Sequence, residues 1–271
     1  MARQRDADFD AIRSGAEPID LQEGDSNGVL LLHGFGDTPQ TLLLLAQRLA
    51  KAGYGVYAPV LPGHGRSMEV FRKSHADEWI DAARTAAREM SVRHRTLAIV
   101  GLSMGGALAV LVGAEIREIS SLVLIAPYLG MPRLVRLAAR MHWVWGPFAG
   151  DINARNPRSI HDPIERAKNL AYGAVTARSL FELSRVVKRA RRSLPDVIAP
   201  TLILQSREDP RVSPAVAEFT LQTLGARDKE LIWTTGAGHI ITVDYGRDLV
   251  FREVETWLRT HVTRGTTAAT K

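Results

Sequence analysis

The sequence predicts an α/β protein: a doubly wound, mostly parallel sheet of six or seven strands flanked by helices, with a helical cap inserted after the strand at 121–126. Three observations carry that expectation. Short runs rich in Val, Leu and Ile recur along the chain, and continuous apolar strands of this kind belong to sheets covered on both faces. Amphipathic helical patterns separate them, and strands alternating with helices of this length pair in parallel through crossovers. The alternation breaks once, between Pro127 and Pro195, where helical patterns follow one another without a strand.

The elements follow in order. EPIDLQ leaves room for one strand before Gly28. The apolar strands are GVLLLH (28–33), YGVYAPV (54–60), TLAIVG (96–101), SLVLIA (121–126), PTLILQ (200–205) and KELIWT (229–234). The first helix, PQTLLLLAQRLAKAG, has Pro39 in its first turn and closes at Gly53, as the preferences of these residues dictate. HADEWIDAARTAAREMSV carries Trp79, Ile80, Ala83, Ala87 and Met90 on one stripe. MGGALAVLVGAEI, PAVAEFTLQTLGA and VFREVETWLRTHV are the remaining core helices, and the tail GTTAATK reads as disordered. Residues 1–126 and 196–271 therefore form the core, and 127–195 the cap.

Composition narrows the function classes. The 271 residues include no cysteine, which excludes disulfides and thiolate metal sites. The start, MARQRDADFDAIRSG, lacks a secretory apolar region, and no apolar run reaches the roughly 18 residues of a membrane span, so a cytoplasmic protein is expected. The net charge of +6 comes mostly from scattered arginines with no nucleic-acid-binding motif, so no nucleic-acid partner is expected. Lys188, Arg189, Arg191 and Arg192 form a denser patch, explained by the helix dipole or by weak attraction to an anionic membrane surface.

GLSMG (101–105) places Ser103 between two glycines where a strand meets a helix. Serine there is either a helix N-cap or a nucleophile on a sharp turn. Gly101 and Gly105 suit the second, because a Cβ at either place would strike the neighbouring strand and helix. A serine hydroxyl needs a base, and in this arrangement the partners follow in the order acid, then histidine. Only His239 and His261 come late enough, and His239 sits in a glycine-bearing loop after a strand, where sites of open α/β sheets assemble. The acid comes from LILQSREDPRVSP: Asp209, with Glu208 as the alternative. Asp196 and Asp228 precede their strands, and Asp244 reads as a first-turn acid of the last helix. Oxyanion donors would be the backbone N–H groups of Met104, after the serine, and Phe35 in HGFGDT, unless the latter is a plain glycine turn with a core His33.

These pieces together, LLLHGFGDTPQT, LPGHGRS, GLSMGGALA, LILQSREDPRV and GAGHIITVD, resemble the α/β-hydrolase superfamily and, within it, the bacterial carboxylesterases and monoacylglycerol lipases. The likeness covers roughly residues 27–262. Two departures stand out: the N-terminus is too short for an eight-stranded sheet, and the cap matches only in length and helical character. The resemblance implies a serine hydrolase of small to medium acyl esters such as monoacylglycerols, working through an acyl-enzyme on Ser103, with no cofactor and no metal, as a monomer or homodimer. Leu129, Met131, Leu134, Met141, Trp143, Trp145 and Phe148 in the cap would line an acyl tunnel or pack on the sheet. One rival is an aminopeptidase of the proline-iminopeptidase type, needing cap acids such as Asp151, Asp162, Glu165 or Glu182 for a substrate amine. The other is a low-turnover ligand sensor on the same fold.

Overall fold

The structure, a computed structural model, describes residues 11–22 and 26–262. The expected tail GTTAATK, and most of the N-terminal stretch read for a secretory signal, lie outside the described residues. The main sheet is built from β1 (Ile19–Gln22), β2 (Asn27–Leu32), β3 (Gly55–Ala58), β4 (Thr96–Leu102), β5 (Ile119–Ile125), β8 (Thr201–Ser206) and β9 (Lys229–Thr234). Two short strands, β6 (Ile152–Asn153) and β7 (Ala174–Val175), stand apart from it. The helices are α1 (Leu43–Lys51), α2 (Met68–Lys73), α3 (Ala76–Arg93), α4 (Met104–Glu115), α5 (Arg133–Arg140), α6 (His142–Trp145), α7 (Pro163–Lys168), α8 (Ala177–Ser193), α9 (Pro214–Thr223) and α10 (Arg247–Val262).

The main sheet has seven strands in the order β1-β3-β2-β4-β5-β8-β9. All pairs are parallel except β1 with β3, so EPIDLQ supplies an antiparallel edge strand. Strand alternation sends successive residues to opposite faces. Leu30, Leu32, Ile99, Leu122 and Leu124 pack with α3, α4 and α8. Val29, Leu31, Val100, Val123 and Ile125 pack with α1 and α10. Near-unbroken aliphatic runs are thus required, since both faces are buried. The chain moves one way from β2 to β3 and the other from β4 to β5, so the loops after β2 and β4 part at the C-terminal edge and leave a crevice.

Between β5 and β8 the structure differs from the strandless expectation. β6 and β7 form an antiparallel two-stranded ladder, Ile152 opposite Val175 and Asn153 opposite Ala174. Two-residue strands carry no readable alternation, which is why the pattern missed them. In the same segment α8 does not stay on top of the sheet: Leu183, Val186, Val187 and Ala190 are buried in one cluster with Met104 and Leu108 of α4. The helix expected to start at Pro39 begins as a 3-10 turn, Pro39–Leu42, before α1. Among the described residues no helix is long and apolar enough to cross a membrane.

Candidate active site

Ser103 occupies the turn between β4 and α4 with φ 57° and ψ −116°, a conformation rare for a residue with a Cβ. Its side chain does not cap α4, so the N-cap reading fails. Packing imposes the turn. A Cβ on Gly101 would lie 2.2 Å from the Gly105 carbonyl oxygen, and one on Gly105 would lie 1.9 Å from that of Leu32. Such strain costs on the order of 1–3 kcal/mol and persists only where surrounding contacts hold it. Here the Ser103 N–H donates to the Ile125 carbonyl (2.9 Å), and the Tyr128 N–H donates to the Ser103 carbonyl (3.0 Å).

The structure brings Ser103, His239 and Asp209 into one hydrogen-bonded series. Ser103 Oγ lies 2.8 Å from His239 Nε2, and His239 Nδ1 lies 2.7 Å from Asp209 Oδ2. The buried carboxylate accepts a hydrogen bond from the Nδ1–H, which leaves Nε2 unprotonated and able to accept from the serine hydroxyl. Burial alone would raise the Asp209 carboxyl. The His239 ring beside it, the hydrogen bond to that ring and the N–H groups of Val212 and Arg211 outweigh burial and hold it below the ordinary carboxylate value. Gln205 Nε2 donates to the same Oδ2 (2.9 Å). The other candidates fall away from the series. Glu208 is half exposed and accepts from the Gly236 N–H (2.8 Å), and His261 pairs with Asp228 (3.0 Å) on the last helix.

Met104 follows Ser103 directly, and Phe35 follows Gly34, where a Cβ would lie 3.3 Å from Ser103 Cβ. The Met104 N–H heads α4, where no earlier turn offers an acceptor, and the Phe35 N–H finds no backbone acceptor among the described residues. The Phe35 ring meets Phe71 at a tilt and Trp79 edge-on (centroids 5.2 and 5.8 Å), and the Met104 side chain is fully buried. Under this loop His33 is neutral: its Nε2 accepts from the Leu61 N–H (3.1 Å), its Nδ1 donates to the Gly34 carbonyl (2.9 Å), and burial lowers its pKa to about 4.

Asp244 has a different role from the one expected. The last helix begins at Arg247, and the buried Asp244 carboxylate instead accepts four backbone N–H groups. Two come from His161 (2.8 Å) and Asp162 (2.9 Å), one from Gly238 (2.6 Å) and one from Tyr245 (2.9 Å). The Ser159 carbonyl in turn accepts the N–H groups of His239 and Ile240, both at 2.9 Å. Asp244 and Ser159 therefore fasten the His239 loop to the segment between β5 and β8. No sequence pattern marks them, because their partners are backbone groups distant in the chain.

Ser103 and His239 open into a cavity of about 870 Å³. None of the seven apolar residues proposed for a tunnel lines it. Leu129 is buried in the core, while Trp143 and Phe148 are 71% and 91% exposed. The wall instead takes its apolar surface from Val135, Leu180, Leu183, Ile160, Val175 and Tyr128. On a short amphipathic helix one register step decides between cavity and solvent, so composition could not choose.

A mostly parallel sheet with a serine on its strand-to-helix turn, and a histidine and aspartate delivered by later loops, defines an α/β hydrolase. Comparison with known proteins agrees and narrows the class. The model of the family described as "Serine aminopeptidase, S33" matches residues 26–245, and the chain belongs to that family. The thermostable monoacylglycerol lipase of Bacillus sp. (strain H-257) is 30% identical over 241 residues, covering 88% of this chain and 92% of the relative. The carboxylesterase of Bacillus subtilis (strain 168) is 24% identical over 89% of this chain and 96% of its own. A solved structure from the metagenome-derived lipolytic enzymes LipS and LipT superposes with a TM-score of 0.85 at 30% identity, covering 93% of this chain and all of that one (100%). The chain is thus an enzyme of a hydrolase family, similar to carboxylesterases and monoacylglycerol lipases.

Two outcomes follow from these contacts. Replacing Asp244 by Ala leaves four N–H groups, one buried and three partly buried, without their acceptor, so Asp244→Ala should lower stability by about 2 kcal/mol in urea unfolding; a loss under about 0.5 kcal/mol would show the four bonds to be replaceable. The second concerns Asp37, which lines the same cavity. Burial pushes its carboxyl from the ordinary 3.8 up to about 6, against the opposing hydrogen bonds from the Thr38 N–H and the Thr41 hydroxyl. The folded state holds this proton more tightly than the unfolded chain. The associated stability is complete below pH 4 and is lost as pH rises through about 6, an effect of about 3 kcal/mol. Asp37→Asn should therefore gain on wild type between pH 4 and 7 in parallel urea titrations; a gain on acidification instead would contradict the buried-carboxyl account.

Proposed function

We propose that this chain is a serine carboxylic-ester hydrolase that cleaves small to medium acyl esters, monoacylglycerols among them, through an acyl-enzyme on Ser103. The observation that carries the reading is the hydrogen-bonded series from Ser103 through His239 to Asp209 at the floor of a largely apolar cavity. In this reading His239 Nε2 takes the hydroxyl proton as Ser103 Oγ adds to the ester carbonyl carbon. Asp209 keeps the ring oriented and stabilises the imidazolium. The N–H groups of Phe35 and Met104 hold the oxyanion. His239 then gives its proton to the departing alcohol, and water, deprotonated by the same ring, releases the acid. Residues 127–195 act as the cap that shapes the acyl site.

The description of the family favours a second reading, an aminopeptidase. Such an enzyme needs a free carboxylate for the substrate ammonium, and the cap acids are already engaged. Asp151 pairs with Arg72, Asp162 caps α7, and Glu165 meets Lys168 (3.0 Å). Glu182 is buried against the Ala76 N–H and Arg185. These pairings support the ester reading over the peptidase one.

The membrane reading shifts from one surface to another. In the basic patch Arg189 pairs with Asp77, and Arg191 donates to the Leu129 carbonyl (2.7 Å) and lies over the Phe219 ring. The exposed Arg133, Arg136 and Arg140 of α5, interspersed with exposed Leu134 and Leu137 and followed by Trp143 and Phe148, suit an anionic lipid surface better.

Ser103→Ala should lower turnover of a medium-chain monoacylglycerol on the order of a millionfold and abolish labelling by a fluorophosphonate. Wild-type turnover in that variant would end the ester reading, cleavage of aminoacyl anilides alone would install the peptidase, and an unlabelled wild type would leave a binding protein. For the membrane surface, co-sedimentation with phosphatidylcholine vesicles should rise when phosphatidylserine is added and fall with salt. Sedimentation indifferent to both would remove the membrane from the account.

A further inference from the structure

We propose that the cavity carries an anion subsite centred on Arg155, so that the preferred ester bears a phosphate or carboxylate on its alcohol part. This builds on the ester-hydrolase reading and adds a substrate class to it. Three arginines line the cavity, Arg155, Arg166 and Arg211, and the first two are also exposed to solvent. Two are already committed. Arg211 Nε donates to Ser159 Oγ (3.1 Å) and its Nη2 to the Ala154 carbonyl, and its charge lies near that of Asp209. Arg166 Nη1 donates to the carbonyls of Pro157 (3.1 Å) and Ile160 (3.0 Å), which orient it without neutralising it.

Arg155 differs from both. Among the described residues its guanidinium has neither an ion pair nor a hydrogen bond, yet its position is built. The β6–β7 ladder ends one residue earlier, where the Ala154 N–H donates to the Gly173 carbonyl (2.9 Å). The Arg155 N–H donates to Asn153 Oδ1 (2.9 Å). Its stem lies across Gly173, where a Cβ would come within 2.5 Å of Arg155 Cγ. That glycine, at φ +65°, makes room for the arginine in the wall.

The rest of the wall does not balance this charge. Its only carboxylate is Asp37, whose two oxygens already face the Thr38 N–H and the Thr41 hydroxyl. A planar guanidinium with free donors is matched by the paired oxygens of a phosphate or carboxylate. Val135, Leu180, Leu183 and Val175 supply the apolar surface an acyl chain needs, so the charge belongs to the alcohol. The subsite binds and does not react: the scissile bond, the proton path and the products are those of ester hydrolysis.

The test compares three octanoyl esters, of glycerol, of glycerol 3-phosphate and of glycolate, by octanoate release from the full chain at low salt. At least one anionic ester should exceed the glycerol ester in kcat/KM by about tenfold. The ratio should fall towards one in Arg155→Gln and recover in Arg155→Lys. A ratio taken within one preparation cancels any loss of folded enzyme. Preference for the phosphate ester over the glycolate ester names phosphate as the ligand, and the reverse names carboxylate. A wild-type ratio near or below one, or a ratio that Arg155→Gln leaves unchanged, overturns the subsite while the ester reading stands. If none of the three is cleaved, the ester reading falls and takes the subsite with it.

Discussion

The close approach of α4 to β2 is the constraint on which the rest of the molecule depends. The backbone of Gly105 lies so near the Leu32 carbonyl that no side chain fits between them. This contact sets the angle at which the chain leaves β4, and the residue at the bend must accept a positive φ. Ser103 is therefore strained, and its Oγ is turned away from the helix end towards His239. The same packing brings the loop after β2 alongside: a Cβ built on Gly34 would lie 3.3 Å from Ser103 Cβ. Buried contacts beneath the site stabilise a conformation that the serine alone would not adopt.

A second set of polar contacts fixes the other half of the site. The loop holding His239 packs Ala237 and Ile241 into the core, and acceptors elsewhere fix its backbone. Asp244 gathers N–H groups from the segment at 161–162 and from Gly238, and the Ser159 carbonyl takes those of His239 and Ile240. The cavity wall and the histidine loop are therefore one hydrogen-bonded unit. Movement of one carries the other, which links the shape of the cavity to the position of the imidazole.

The segment between β5 and β8 separates its charges and apolar groups between two surfaces. Inside, arginines and small apolar side chains share the wall above Ser103. Outside, α5 and α6 present Leu134, Trp143 and Phe148 to solvent beside further arginines. A surface that exposes large apolar groups calls for a partner of matching character. Arginines on a cavity wall suit a ligand of opposite sign.

The sheet and its helices were legible from the amino acids because burial on both faces demands long aliphatic runs, and such runs are visible without coordinates. Gly101, Gly105 and Ser103 were legible because a tight turn tolerates few residue types. The order of loops along the chain singled out His239 and Asp209, and the structure places both in contact with Ser103 or with each other. Other features depend on contacts between residues far apart in sequence. These include the antiparallel edge at β1, the two-residue ladder, the four-way role of Asp244, the outward turn of Trp143 and Phe148, and the unpaired Arg155. Periodicity reports which side of an element is apolar; it does not report which distant backbone group a carboxylate will meet, or whether an apolar side of a short helix faces a cavity or water.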